Sequence, residues 1–320
     1  MRIFRHYTEL PAAIRGGVVA LGNFDGVHLG HQVVIGVALR RAKELGVPCG
    51  VMSFEPHPRQ IFMPDTPPFR LTPFRIKSRL IEAMGVDFLV MQHFDLSFAT
   101  KTADAFIDDV LVKGLGAKGV VIGYDFCFGK SRGGNVKVLE AHGGFEVMAV
   151  GRQVTEGGHT YSSNLIRQAL QDGQPAMAAS LLGRAWEIEG RVEQGDQRGR
   201  TIGFPTANIH LADYLRPANG VYAVRAGIDR GGDTHWHDGV ANLGGRPTFD
   251  KQDVLLEAHL FDFDGDLYGR HLRVALHQFI RPVRKFDGLD ALKQQIAQDS
   301  QTARTLLSAE ALPVESSSKT

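Results

Sequence analysis

The chain has 320 residues, 43% of them hydrophobic and 22% charged, and its 36 lysines and arginines offset 35 aspartates and glutamates to a net charge of +1. That is the composition of a soluble globular protein of about two domains, and its scattered basic residues exclude a sequence-wide electrostatic footprint for nucleic acid or anionic membrane. Met1 to His6 lacks the apolar core of a signal peptide, and no uncharged apolar run approaches the roughly 18 residues that span a bilayer. The expected location is therefore cytoplasmic. Cys49 and Cys127 sit in no metal spacing and read as free thiols.

Val18 to Leu21 is a continuous apolar run suited to a buried parallel strand, and Gln32 to Leu45 carries apolar residues at helical spacing. Between them lies Gly22-Asn23-Phe24-Asp25-Gly26-Val27-His28-Leu29-Gly30-His31, a glycine turn with two histidines three apart. At such a turn the first free N–H groups of the helix point outward with partial positive charge, and Gly26 and Gly30 let a phosphate approach the backbone. His28 and His31 are candidate donors to its oxygens. A lone His-x-x-His would read more simply as one helix cap and one surface residue.

Short strands then alternate with helices: Val47 to Phe54, Phe88 to Gln92, a helix from Thr102 to Lys113, Gly119 to Ile122, Phe145 to Val150, and helices from Ser163 to Gln171 and Met177 to Leu182. That is a doubly wound α/β pattern. From Trp186 the strands follow one another, at Trp186 to Val192, Gly220 to Ala226, Asp238 to Asn242, Val254 to Phe261 and His271 to Ile280, before a helix from Leu289 to Gln298. A small antiparallel β-barrel with a C-terminal helix fits. The expected domains are 1–182 and 183–306, with 307–320 a disordered tail that ends polar and serine-rich.

Three motifs fail on context. Gly123 to Ser131 resembles a P-loop but has five residues between its glycines where four are needed, and Gly114-Leu115-Gly116-Ala117-Lys118-Gly119 follows a helix where a dinucleotide fingerprint follows a strand. Asp262, Asp264 and Asp266 alternate like a calcium loop, but Leu267 stands where glycine is required, so a polar hairpin turn is expected.

The decapeptide at 22–31 resembles the His-x-Gly-His signature of the nucleotidyltransferase superfamily, in the form found in prokaryotic bifunctional riboflavin kinase/FAD synthetases. Ser53-Phe54-Glu55-Pro56-His57-Pro58, Gly123 to Gly129 and Ser162-Ser163-Asn164-Leu165-Ile166-Arg167 follow in that family's order. The resemblance implies a Rossmann-like domain that transfers AMP from ATP onto FMN, giving FAD and pyrophosphate. Gly22, Asn23, Phe24, Asp25, Gly26, Gly30, Asp125, Ser162, Ser163 and Arg167 would meet the nucleotide, with His28 and His31 neutralising phosphoryl charge beside Mg2+. Phe54, Pro56, Pro58, Phe62 and Phe128 would wall the flavin ring. By their position alone, the serines also suit simple helix capping. Asn164 stands where the family usually has threonine.

The second half carries a separate signature, Gly190-Arg191-Val192, Gly195 and Arg198-Gly199-Arg200-Thr201-Ile202-Gly203-Phe204-Pro205-Thr206-Ala207-Asn208, which resembles that of riboflavin kinases. A glycine-rich loop can lie over phosphates, and Thr206 and Asn208 offer two oxygens to a magnesium ion. Gly195, Gly199 and Gly203 are the expected phosphate contacts. Asn242 to Phe249, Glu257 to Leu260 and Gly265 to Gly269 extend the likeness, with Glu257 the expected general base for the ribityl 5′-hydroxyl. By pattern alone Glu257 would be an exposed strand residue. Leu292 lies on the helix that in the family covers the flavin, and Val283 stands where the family usually has glutamate.

The resemblance spans about residues 15 to 305. It implies a bifunctional enzyme with riboflavin, FMN and ATP as its partners, no nucleic acid and no membrane; a weak homo-oligomer stays open. Two alternatives are carried: a riboflavin kinase with an impaired adenylyltransferase site, and a flavin-binding carrier without turnover.

Overall fold

The computed structural model describes residues 1–155, 157–194, 203–230, 233–245 and 254–309. The chain divides between Ser163 and Asn164 into two units, each with its own six-stranded sheet.

The first unit holds β1 (Arg2–Phe4), β2 (Val18–Leu21), β3 (Cys49–Glu55), β4 (Phe88–His93), β5 (Gly119–Gly123) and β6 (Glu146–Val150), all parallel, in the order β1-β4-β3-β2-β5-β6. The unbroken apolar run at 18–21 is explained by two-sided burial. Val18 and Ala20 face a layer with Val34, Ile35 and Ala38 of α1 (Leu29–Leu45), whereas Val19 and Leu21 face Phe106, Ile107, Val110 and Leu111.

The helix expected at 102–113 begins as α-helix and widens. Short helices α2 (Pro58–Phe62), α3 (Phe74–Glu82), α4 (Leu96–Ala99) and α5 (Ala103–Ala105) come first, and Phe106–Gly114 is a π-helical continuation of α5, with α6 (Val136–His142) beyond it. The wider winding sets Phe106, Ile107, Val110 and Leu111 on one buried face.

Because β3 and β4 lie to one side of β2 and β5 and β6 to the other, the strand order reverses between β2 and β5. In an open parallel sheet, the carboxyl ends at such a point leave a crevice where ligands bind. Both the 22–31 turn and the 123–129 segment leave the sheet there.

Helix α7 (Ser163–Gln171) starts on the last residue of the first unit, and the rest of it opens the second, followed by α8 (Pro175–Leu182), β7 (Trp186–Arg191), β8 (Ala207–His210), β9 (Gly220–Arg230), β10 (Asp233–Gly245), β11 (Val254–Leu260), β12 (His271–Pro282) and α9 (Leu289–Ala309). Its sheet is antiparallel, in the order β7-β12-β9-β10-β11-β8. Register shifts in β12 help bend it. The Glu193 N–H donates to the Asn208 carbonyl at 3.0 Å, so a single bridge just past β7 joins the two edges of the curled sheet.

The sequence drew the division at 182; in the structure α8 packs on β7 and β12, which assigns 164–182 to the second unit. The tail drawn from 307 also begins too early. Helix α9 runs to Ala309, with Leu307 buried beside Ala303, while 310–320 lie outside the described residues. Leu289 at its start stays 53% exposed, so the packed part of α9 is the extension beyond the expected end at 298.

Candidate active sites

The turn after β2 is built from inside. Phe24 (φ 46°) and Val27 (φ 44°) both take left-handed backbone, which the burial of their side chains holds in place at 1% exposure each. Gly26 has φ 91° and donates its N–H to the Thr72 hydroxyl at 2.8 Å. A Cβ on Gly30 would lie 3.1 Å from Tyr161 Cβ and 3.2 Å from the His28 ring, tight enough that a side chain here would press the ring by a few tenths of an ångström.

His28 is the N-cap of α1: its Nδ1 accepts the His31 N–H at 3.2 Å. Helix capping is thus realised. It does not exhaust the pair, because the two rings are stacked with centroids 3.5 Å apart, and Phe24 meets His31 edge-on at 5.3 Å. His28 is 5% exposed. Packing therefore fixes two imidazoles at the helix end where an anion is favoured.

Asp25 turns its side chain into the protein. Its carboxylate is 2% exposed and accepts the N–H groups of Leu71 and Thr72 at 3.0 Å each, with Arg70 Nε at 3.9 Å. The Asp25 side chain thus clamps the segment before α3, and its main-chain carbonyl accepts the Ser163 hydroxyl at 2.8 Å. That bond brings Ser163 to the glycine turn. Replacing Asp25 by alanine leaves the buried Leu71 and Thr72 N–H groups without their acceptor, at a cost of roughly 1–3 kcal/mol each, while Arg70 keeps its bonds to Glu55. The expected outcome is a lower urea midpoint by circular dichroism.

Arg70, itself 1% exposed, makes a two-pronged contact to Glu55 at 2.8 Å and reaches Gln60 at 2.9 Å, tying the end of β3 to α2. Burial pushes the Glu55 carboxyl up, but the hydrogen bonds and charge of Arg70 outweigh it and hold the carboxyl below its ordinary value. Sequence reading missed Arg70, because a buried charge has no signature in composition.

Phe54, Phe62 and Phe128 fall into one aromatic chain. Phe62 contacts Phe94 (5.9 Å), Phe94 contacts Phe54 (5.8 Å), and Phe54 leads through Phe98 (6.0 Å) and Phe106 (6.2 Å) to Phe128 (5.1 Å). Phe94, Phe98 and Phe106 were not read from the sequence. Phe62 is 61% exposed at one end, while Phe54 and Phe128 are buried, and Pro56 and Pro58 lie half-buried beside them in sequence. Asp125 is exposed, with Oδ1 3.3 Å from where a Cβ on Gly123 would stand. Arg167 lies one turn into α7 and donates to Asn164 Oδ1 at 2.7 Å, so the departure at Asn164 is accommodated by a local bond.

In the second unit, Glu257 of β11 stands directly opposite Asn208 of β8 on one side and Asn242 of β10 on the other. Directly opposed residues share a face, so the three side chains form a row across three strands. Asn242 Nδ2 donates to Glu257 Oε2 at 3.3 Å. Asn208 is 6% exposed, and its Oδ1 is buried with no hydrogen-bond partner among the described residues. His259, two residues along β11, meets the Pro205 carbonyl through Nδ1 at 2.8 Å and so ties the Thr206 segment to the sheet. Thr206 and Asn208 line a cleft of about 550 Å³ together with Phe263, Asp266 and Tyr268. Asp262, from the decoy calcium pattern, instead accepts two bonds from Arg304. Gly203 is exposed at φ 89°, whereas Gly195 and Gly199 lie outside the described residues. Leu292 is half-buried on α9. Near Val283, Arg281 is held by Asp299 of α9 at 2.6 Å, so this helix is anchored without a glutamate at 283.

A parallel α/β sheet with a glycine-histidine turn at its switch point, followed by a curled antiparallel sheet with a carboxylate between two asparagines, defines a two-part nucleotide-using protein. FAD synthetase as a family matches residues 10–165, and riboflavin kinase matches residues 182–307. A bifunctional riboflavin kinase/FMN adenylyltransferase from Escherichia coli (strain K12) is 44% identical over 308 residues, covering 95% of this chain and 97% of that one. Those of Haemophilus influenzae and Bacillus subtilis are each 41% identical, covering 95% and 89% of this chain and 98% and 91% of theirs. A crystal structure from Streptococcus pneumoniae, described as a macrolide-efflux protein, has a TM-score of 0.84 at 33% identity, covering 94% of this chain and 98% of that one. The chain belongs to the bifunctional riboflavin kinase/FMN adenylyltransferase family. Among its described residues, no helix is long and apolar enough to cross a membrane.

Proposed function

We propose that the second unit phosphorylates riboflavin with ATP to give FMN, and that the first unit adenylylates FMN with a second ATP to give FAD and pyrophosphate. Both family matches, over separate halves, support the pair of activities.

For the kinase step, the ribityl 5′-hydroxyl oxygen attacks the γ-phosphorus, the bond to the β-phosphate oxygen breaks, and ADP leaves. Glu257 takes the hydroxyl proton as attack proceeds, with Asn242 holding one carboxylate oxygen so that the other faces the substrate. The donor set at Thr206 and Asn208 fits a hard divalent cation: two neutral oxygens, one of them buried without a partner among the described residues. Mg2+ held there would neutralise charge on the β- and γ-phosphates. Gly195, Gly199 and Gly203 are the proposed glycines of the phosphate loop.

For the adenylyl step, an FMN phosphate oxygen attacks the α-phosphorus in line and the bond to the β-phosphate oxygen breaks. No protein nucleophile is required. His28 and His31 stabilise charge on the phosphoryl oxygens, with the backbone of Gly22 to Gly26, Gly30 and Asp125 around the nucleotide and Ser162, Ser163 and Arg167 toward the pyrophosphate. The aromatic chain ending at Phe62, with Pro56 and Pro58, receives the flavin ring, and Leu292 covers the flavin of the kinase step. The proposed setting is the cytoplasm, with no nucleic-acid or membrane partner.

The observation that carries the reading furthest is the row Asn208, Glu257, Asn242. Assaying riboflavin with ATP, and FMN with ATP, as separate half-reactions tests it: both proceed with magnesium and stop with a chelator. Phosphorylation that continues in chelator would contradict the metal assignment.

A further inference from the structure

Lys77 on α3 is fully buried, at 0% exposure, yet it belongs to neither proposed set of ligand contacts. Its ammonium donates to the Asn23 carbonyl at 2.8 Å, and the buried Ser53 hydroxyl donates to the same oxygen at 3.0 Å. Sealing an ammonium inside a protein is costly, and an apolar side chain of similar volume is often as stable or more so. Both donors converge on one peptide of the nucleotide turn. In a planar trans peptide the carbonyl and the next N–H point in opposite directions. Holding Asn23 O toward Lys77 therefore turns the Phe24 N–H the other way, and that N–H meets no acceptor among the described residues. The same peptide leads into the left-handed backbone at Phe24, whose ring packs on His31.

We infer that Lys77 is a positioning residue for adenylyl transfer: from beneath, it locks the Asn23–Phe24 peptide so that the Phe24 N–H is presented to a phosphate oxygen and the His28–His31 pair keeps its place. The inference rests on the adenylyltransferase reading of the first unit. The charged groups around Lys77 are Arg70 before α3, Asp25 in the turn and Glu55 at the end of β3. Burial, reinforced by the Arg70 charge, pushes the Lys77 ammonium down to about 8, against the opposing pull of Asp25 and Glu55. Below that pH the charged donor is in place, and above it the lock weakens. Cys49, a buried thiol at the far end of β3, is pushed up by burial to about 12 and so titrates outside this window.

The test uses the full chain, its own kinase activity serving as internal reference. In the parent, kcat/KM for FMN adenylylation falls as pH rises through about 8, and riboflavin phosphorylation does not follow it. Lys77→Met, with its apolar side chain of similar volume, melts no lower than the parent and keeps kinase activity. It loses adenylylation by about 10²-fold, the scale of an ångström's misplacement, and its remaining activity lacks the alkaline limb. Parental adenylylation in Lys77→Met, or an unchanged limb in it, would overturn the inference. Should Lys77→Met not fold, the parent profile decides: a limb confined to FAD formation supports the lock and its absence overturns it. A parent that forms no FAD would instead fail the adenylyltransferase reading itself.

Discussion

Glu257→Ala lowers riboflavin phosphorylation by roughly 10²–10⁴-fold, the usual contribution of a general base, and leaves conversion of added FMN to FAD unchanged. The carboxylate is the one acidic group in the row across β8, β11 and β10, with an asparagine on either side. An asparagine can orient or ligate but cannot take a proton at neutral pH. Glu257→Gln sharpens the test, because glutamine still offers an oxygen to Asn242 Nδ2 yet is no base. Both variants are expected to fail alike. A glutamine variant with parental phosphorylation would reduce Glu257 to a positioning role, and loss of both activities in a folded Glu257→Ala protein would remove the assignment altogether.

The double variant His28→Ala, His31→Ala does the converse: FAD formation falls by at least about 10²–10³-fold, the scale of losing one donor to a developing oxyanion, while FMN still forms from riboflavin. The alanine at 28 also removes a helix cap, at about 1 kcal/mol. His28→Asn with His31→Ala separates the two effects, since asparagine caps well but lacks the imidazole. Adenylylation stays low in that variant if the imidazoles act on phosphate. FAD formation at the parental rate in either variant would overturn the phosphate-binding role.

The elements that carry the adenylyltransferase crevice were legible where their pattern was undiluted. Val18–Leu21 is apolar because both faces are covered, and the glycine turn after it could follow only from a strand-to-helix connection. Helix α3 escaped reading because Lys77 occupies a buried position where an apolar residue would complete the stripe between Ile76 and Ile81. Strand β1, with Arg2 and Ile3 exposed, has too few buried positions to show a period of two, and the four-residue β8, buried at Ala207, Asn208 and Ile209 in succession, has no alternation to show. The sequence marked Asp25 as a ligand contact by its place in the motif. What it could not show is that Leu71 and Thr72, 46 and 47 residues away, take up the carboxylate. The aromatic wall was half legible for the same reason. Phe54 and Phe62 flank a recognisable strand end, whereas Phe94, Phe98 and Phe106 join them only once β4 and the π-helical segment are packed.

The central claim is that two different phosphorus atoms of ATP react at two units of one chain. Incubating the protein with riboflavin, magnesium and ATP labelled at either the γ- or the α-phosphate, and separating the flavins over time, tests it most directly. The expected result is γ-label in FMN first and then in FAD, with α-label in FAD alone. Label from the γ-phosphate that stops at FMN, or α-label found in FMN, would contradict it.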